Sequence, residues 1–192
     1  MTDKIWKKIL GSKPQFVSWE DKEKRHYPSL FEGLPAEKRS EDILTRFTKL
    51  CNYIKLNSMN DNELKDVFPP ICMVVERDSQ VWIFEIRSID GHSPLELVNP
   101  VARALNPNMF VVIGESWTVM LEKDEKYEYG NVHKDPNRKE CIVIDGRTRE
   151  GKKHTMMQLV ERKDGLVKFT DMDDLHGKAD KIVTRYDDPL EK

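Results

Sequence analysis

Apolar positions change their period along this chain, and the changes divide it into segments. Over residues 1–34 single aromatics (Trp6, Phe16, Trp19, Tyr27 and Phe31) stand among charges. Ile5, Trp6, Ile9 and Leu10 fit a short amphipathic helix that ends near Gly11-Ser12-Lys13-Pro14. Aromatics spaced this way predict an arm packed onto the body. From Ser40 the period is helical: apolar residues recur at Ile43, Phe47, Leu50, Cys51 and Ile54, with Arg46, Lys49 and Asn52 on the opposite face. Ser40 is a suitable N-cap, Glu41 and Asp42 complement the helix dipole, and Asn57-Ser58 or Asn60 can end the helix. A shorter helical piece over residues 63–68 stops at Pro69-Pro70.

After the double proline the period becomes that of a strand. Residues 71–76 and 81–87, separated by Arg77-Asp78-Ser79-Gln80, read as a hairpin, with Trp82, Phe84 and Ile86 on one face and Glu85 and Arg87 on the other. Ser93 and Pro94 open a helix over residues 92–105, in which Pro100 predicts a kink or a division. Residues 109–113 and 117–121 are apolar runs around Gly114-Glu115-Ser116, predicting one strand with a bulge or two with a bend. Residues 122–139 are charged and read as a long exposed loop. Residues 141–145, 154–160 and 166–170 form an antiparallel meander, whose second turn holds Asp164-Gly165, residues that tolerate positive φ.

The fold expected is α+β: N-terminal helices followed by a mainly antiparallel β-sheet with one inserted helix. Strands and helices do not alternate regularly, which argues against a doubly wound nucleotide-binding fold. The layout is an arm over 1–34, a single α+β domain over 35–170 and an acidic tail over 171–192, read as a helical scrap or a loose end.

Composition narrows the class. The chain has 192 residues, 38% apolar and 34% charged, enough for one core-bearing domain. No apolar run approaches the ~20 residues that cross a bilayer, so no membrane partner is expected. Three distant cysteines without a Cys-x-x-Cys pair, and the start Met1-Thr2-Asp3-Lys4, point to the cytoplasm. Two of these, Cys72 and Cys141, lie in apolar runs and are expected to be buried, inert thiols. The net charge of −2 argues against a whole-surface nucleic-acid binder. Charge is nevertheless uneven: residues 1–27 and 131–155 each hold seven Lys/Arg against four Asp/Glu, whereas 171–192 hold four against seven.

The sequence has no G-x-G-x-x-G, no G-x-x-x-x-G-K-[ST], no HExxH and no G-x-S-x-G. No catalytic residue, metal site or cofactor is therefore assigned. The strongest candidate for contact is the hairpin tip that carries Arg147, Arg149, Lys152 and Lys153 around Gly151, projecting guanidinium and ammonium groups toward phosphate or carboxylate oxygens. Lys134, Arg138 and Lys139 would join them if the preceding loop folds alongside. The tip has no aromatic side chain for stacking on single-stranded bases. Asp171, Asp173, Asp174 and His176 lie close together but lack the spacing of a calcium loop.

The function expected is a binding or accessory module that meets an acidic protein surface or a nucleic-acid backbone through this tip. A second reading is a small hydrolase-type enzyme, with Glu115 and either His154 or His133 in a cleft. A third is a structural subunit that oligomerises through the aromatic arm.

Overall fold

The computed structural model describes residues 15–17, 43–60, 68–77, 80–88, 92–121, 126, 132–171 and 181–184. In chain order these form β1 (Gln15–Val17), α1 (Ile43–Asn60), β2 (Ile71–Arg77), β3 (Gln80–Glu85), α2 (Pro94–Leu105), β4 (Met109–Leu121), a 3₁₀ turn (Val132–Lys134), β5 (Lys139–Thr148), β6 (Lys153–Lys163), β7 (Leu166–Asp171) and β8 (Lys181–Thr184). The chain is α+β, with a helix ahead of an antiparallel sheet ordered β1-β3-β2-β4-β5-β6-β7 and β8 paired to β4. Every pairing is antiparallel. Among the described residues, no helix is long and apolar enough to cross a membrane.

The alternation of side chains sends the strand residues to opposite faces of the sheet, where the two larger buried clusters lie. On one face Val74, Ile83, Val111, Ile113, Ile142 and Ile144 pack against Leu44, Phe47, Cys51 and Ile54 of α1. On the other face Met73, Val75, Phe84, Ile86 and Val112 pack against Val98, Val101 and Ala102 of α2. The expected grouping of Trp82, Phe84 and Ile86 holds, and all three belong to the α2 side. These hydrophobic strands are buried on both faces, which explains runs such as Val111-Val112-Ile113 that lack a polar alternation.

Local chemistry sets the ends of α2. The Ser93 hydroxyl accepts from the Glu96 N–H, and the Glu96 carboxylate accepts from the Ser93 N–H, a reciprocal capping box. That contact holds the Glu96 carboxyl below its ordinary range, the Ser93 backbone N–H being the largest cause. Pro100 does not divide the helix, which runs from Pro94 to Leu105 and ends in left-handed Asn106 at φ 48°. At the β6–β7 turn Asp164 and Gly165 both have positive φ, 51° and 77°, as a two-residue hairpin turn requires.

Several expectations are corrected. Gly114 introduces neither a bulge nor a break: β4 keeps one register with β5 from the Met109–Thr148 pair to the Thr118–Lys139 pair. Backbone groups on both sides hold it in line, for Gly114 pairs with Ile71 and Val143, and the Glu115 N–H donates to Pro70 O. In α1 the faces differ from the helical-period reading, since Ile43 is exposed and Asn52 and Lys55 are buried. Part of the acidic tail is a strand, because residues 181–184 pair with the end of β4. The proposed helix over 5–10, all of the one over 63–68 except Phe68, and the acidic cluster beyond Asp171 lie outside the described residues, as does the turn at Asp78-Ser79. Within the charged segment before β5, Val132 is buried against Val119 and Leu121.

All three cysteines are buried. Burial is the main cause that pushes the Cys141 thiol from 9.0 up to about 12, with Glu140 adding to it. At pH 8 its thiolate population falls about a thousandfold below that of an ordinary cysteine. Native protein should resist alkylation at Cys141 at this pH and react fully once denatured; native labelling at the denatured rate would contradict this burial. Since the folded value exceeds the unfolded one, the thiol's contribution to stability is intact below about pH 9 and is lost as pH rises toward 12.

Candidate functional site at the basic end of the sheet

The register brings the ends of several elements together. Glu76 pairs with Met109, Met109 with Thr148, and Arg147 with Lys153. The end of β2, the start of β4 and the β5–β6 turn therefore share one end of the sheet. The end of α2 joins them, because the Asn108 N–H donates to Glu76 O at 2.9 Å and the Arg149 N–H to Asn108 O at 2.9 Å.

Two arginines fasten this junction. Arg77 Nη1 donates to Leu105 O at 2.9 Å, and Arg149 donates through Nη2 to Asn106 O at 2.8 Å and through Nε to Pro107 O at 3.2 Å. Carbonyls at a helix C-terminus carry partial negative charge and no intrahelical donor, so guanidinium groups satisfy them in both respects. Arg103 stands in the last turn of the same helix. The β5–β6 turn is closed by Gly151 at φ 88°, whose N–H donates to Thr148 O at 3.0 Å, while the Thr148 N–H donates to Lys152 O at 3.0 Å. Among the described residues, Arg77, Arg103, Arg149, Lys152 and Lys153 are exposed here with Glu150 as the exposed acid, and Glu76 is buried. The Glu150 carboxyl is held below its usual range by its own backbone N–H first, then by Thr148, with Arg149 and Lys152 adding to the effect.

The four residues expected at the tip have different environments. Lys152 and Lys153 are exposed, and Arg149 is exposed but anchored as above. Arg147 does not project: it is 6% exposed, lies within β5, and donates through Nε to Asp145 Oδ2 at 2.8 Å. Asp145 is itself 1% exposed and accepts from the Thr155 hydroxyl through its other oxygen. Lys134, Arg138 and Lys139 do not join the tip either. Lys139 begins β5 and Thr148 ends it, which places these bases about 30 Å away. There Arg138 stacks over the Trp117 ring, 4.8 Å from its centroid, and Arg162 forms a two-bond fork with Glu140.

Glu115 lies toward that opposite end. Its carboxylate, 30% exposed, accepts from Lys55 Nζ at 2.5 Å, and Lys55 is 2% exposed and also donates to Phe68 O. The histidines considered with Glu115 lie elsewhere. Glu115 pairs with Ile142 and Ile142 with Gln158, whereas His154 is four residues further along β6, about 13 Å along the strands and 10 Å across them. His133 belongs to the exposed part of the 3₁₀ turn. Glu115 and His154 therefore form no common site. Among the described residues no group of three or more His, Cys, Asp or Glu side chains has the arrangement of a metal site.

The contributions of Arg77 and Arg103 to the basic end were not read from sequence, where each stands alone among unrelated neighbours. Lys55 carried a legible signal: it falls four residues after Cys51, on the buried stripe of α1. No protein-family model, curated protein or solved structure matches this chain.

Proposed function

We propose that the protein is a binding or accessory module whose basic end contacts a polyanionic partner. The observation that carries this reading is the convergence of Arg77, Arg103, Arg149, Lys152 and Lys153, contributed by three separate segments, with Glu150 as the one exposed acid there among the described residues. Arg77 donates to Leu105 O at the end of α2 and Arg149 to the Asn106 and Pro107 carbonyls just beyond it, which stiffens the platform. Lys152 and Lys153 are exposed beside a turn fixed by backbone hydrogen bonds, and they add positive charge suited to carboxylates or phosphates. The absence of an aromatic at this tip favours contact with a charged backbone over base stacking. The hydrolase reading has less support, because Lys55 engages Glu115 and the strand register holds His154 away from it.

Binding to duplex DNA and to polyglutamate across a salt series tests the reading. The pair Lys152→Glu and Lys153→Glu should lower affinity about tenfold or more and flatten the salt slope by roughly one for each lost phosphate contact. Unchanged affinity for both polyanions would overturn it.

A further inference from the structure

We propose that the opposite end of the sheet takes an unpaired nucleobase on Trp117, with the adjoining phosphate held by Arg138 and Arg162. This second site lies about 30 Å from the basic end along β5 and does not rest on the lysines there.

Strand register gathers the residues on one face. Ile113 lies in the core beneath α1, so alternation turns Glu115 and Trp117 to the same side. Trp117 pairs with Glu140, and Glu140 with Val160, which places Arg162 two residues further along that face. Trp117 is 36% exposed, and the Arg138 guanidinium lies 4.8 Å from its ring centroid. Base stacking on an aromatic ring is stronger than a water-exposed cation–π contact. A base can therefore take the ring while Arg138 turns to the phosphate beside it.

Charge on this face selects the ligand. Its two acids already have cations: Glu115 accepts from Lys55, and both Glu140 oxygens accept from Arg162. Arg138 therefore leaves the face net positive. The Glu140 fork occupies Nε and Nη2 of Arg162 and fixes the guanidinium plane, so the Nη1 side is directed away from Glu140. With the Arg162 side chain 53% exposed, that side can meet a phosphate oxygen. Trp117 supplies the aromatic surface that the basic tip lacks. A duplex keeps its bases inside the stack, so an unpaired strand is the form that offers both a free ring and a phosphate.

The probe is a short oligo(dT), tested beside an abasic strand of equal length and thymidine monophosphate. Oligo(dT) should quench tryptophan fluorescence and bind about tenfold more tightly than the abasic strand. Trp117→Ala should lower oligo(dT) affinity about tenfold and leave the abasic strand unaffected. Trp117→Phe should keep most of the affinity and lose the quenching, which guards against a folding defect in the alanine variant. Arg138→Gln should weaken both strands alike and flatten the salt slope by about one. Equal affinity of the parent for plain and abasic strands, or of the parent and Trp117→Ala for oligo(dT), would overturn the proposal. Polyglutamate binding that depends on Trp117 as strongly would also overturn it, in favour of a protein partner. Thymidine monophosphate binding as tightly as oligo(dT) would assign the site to a free nucleotide instead of a strand. Charge reversal at Lys152 and Lys153 should preserve the ratio between plain and abasic strands. Failure of that reversal to affect either polyanion would remove the reading of the basic end and leave this site standing.

Discussion

Replacing Asp145 with alanine is expected to destabilise the protein by about 3–5 kcal/mol, the range for removing one member of a buried ion pair. Asp145 is almost wholly buried and uses both oxygens, Oδ2 for Arg147 Nε at 2.8 Å and Oδ1 for the Thr155 hydroxyl at 2.5 Å. Alanine would leave the buried Arg147 guanidinium without this carboxylate, and the Thr155 hydroxyl without its acceptor. The loss comes chiefly from the charge left behind, so the complete pair need not contribute much net stability. Asp145→Leu with Arg147→Met should therefore lie closer to the parent than Asp145→Ala alone, a non-additivity that a double-mutant cycle measures. Chemical denaturation of Asp145→Ala, of Asp145→Leu, of Arg147→Met and of the double variant tests this. A loss below about 1 kcal/mol for Asp145→Ala would mean that water compensates the guanidinium and that Arg147 is more accessible than its burial indicates.

Arg147 also shows where sequence reading stopped. Its neighbours Arg149, Lys152 and Lys153 made it one of four tip residues, since local charge does not reveal where a strand ends. β5 continues to Thr148, and pleating turns Arg147 onto the face that holds Asp145 and Thr155. The same extension separates Lys139 from the tip. The partner of Lys55 was hidden in a comparable way: Glu115 is 60 residues distant, and only the docking of α1 on β4 brings them together.

Features decided within a few residues were more legible. Ser93 and Pro94 marked the start of α2, and Asp164-Gly165 marked a turn through a φ preference that needs no tertiary context. The strands of the meander followed from their apolar residues, although their ends extended into polar positions. Pro100 failed as a divider because its cost is local, whereas the buried Val98, Val101 and Ala102 flank it on both sides and hold α2 against the sheet. The basic end combines both kinds of information. The hairpin was visible from Gly151, but Arg77 and Arg103 reach it only through strand register and the return of the chain after α2.

Gly146→Val is expected to cost about 3 kcal/mol or more, at or above the usual limit for overpacking, with Gly146→Ala costing about 1–3 kcal/mol. Gly146 faces α1, where an added Cβ would run into Thr48 Oγ1 and lie 3.2 Å from Leu44 Cδ1 and 3.3 Å from His154 O. Thr48 has little freedom to withdraw. It is fully buried, β-branched at χ1, and donates its hydroxyl to Leu44 O at 2.9 Å. A larger residue at 146 would therefore push the first turns of α1 off the sheet, rather than merely rotate one side chain. Thr48→Ala should recover part of the Gly146→Ala loss, because it removes the atom that the new Cβ meets first. Gly114 supplies the internal comparison. It is also a strand glycine, but an added Cβ there meets nothing within 4 Å, so Gly114→Ala should be near neutral or stabilising by up to about 1 kcal/mol. Thermal or denaturant unfolding of both alanine variants separates close packing from a general intolerance of glycine replacement. Equal losses at the two positions, or no coupling between 48 and 146, would show that helix α1 does not bear directly on Gly146.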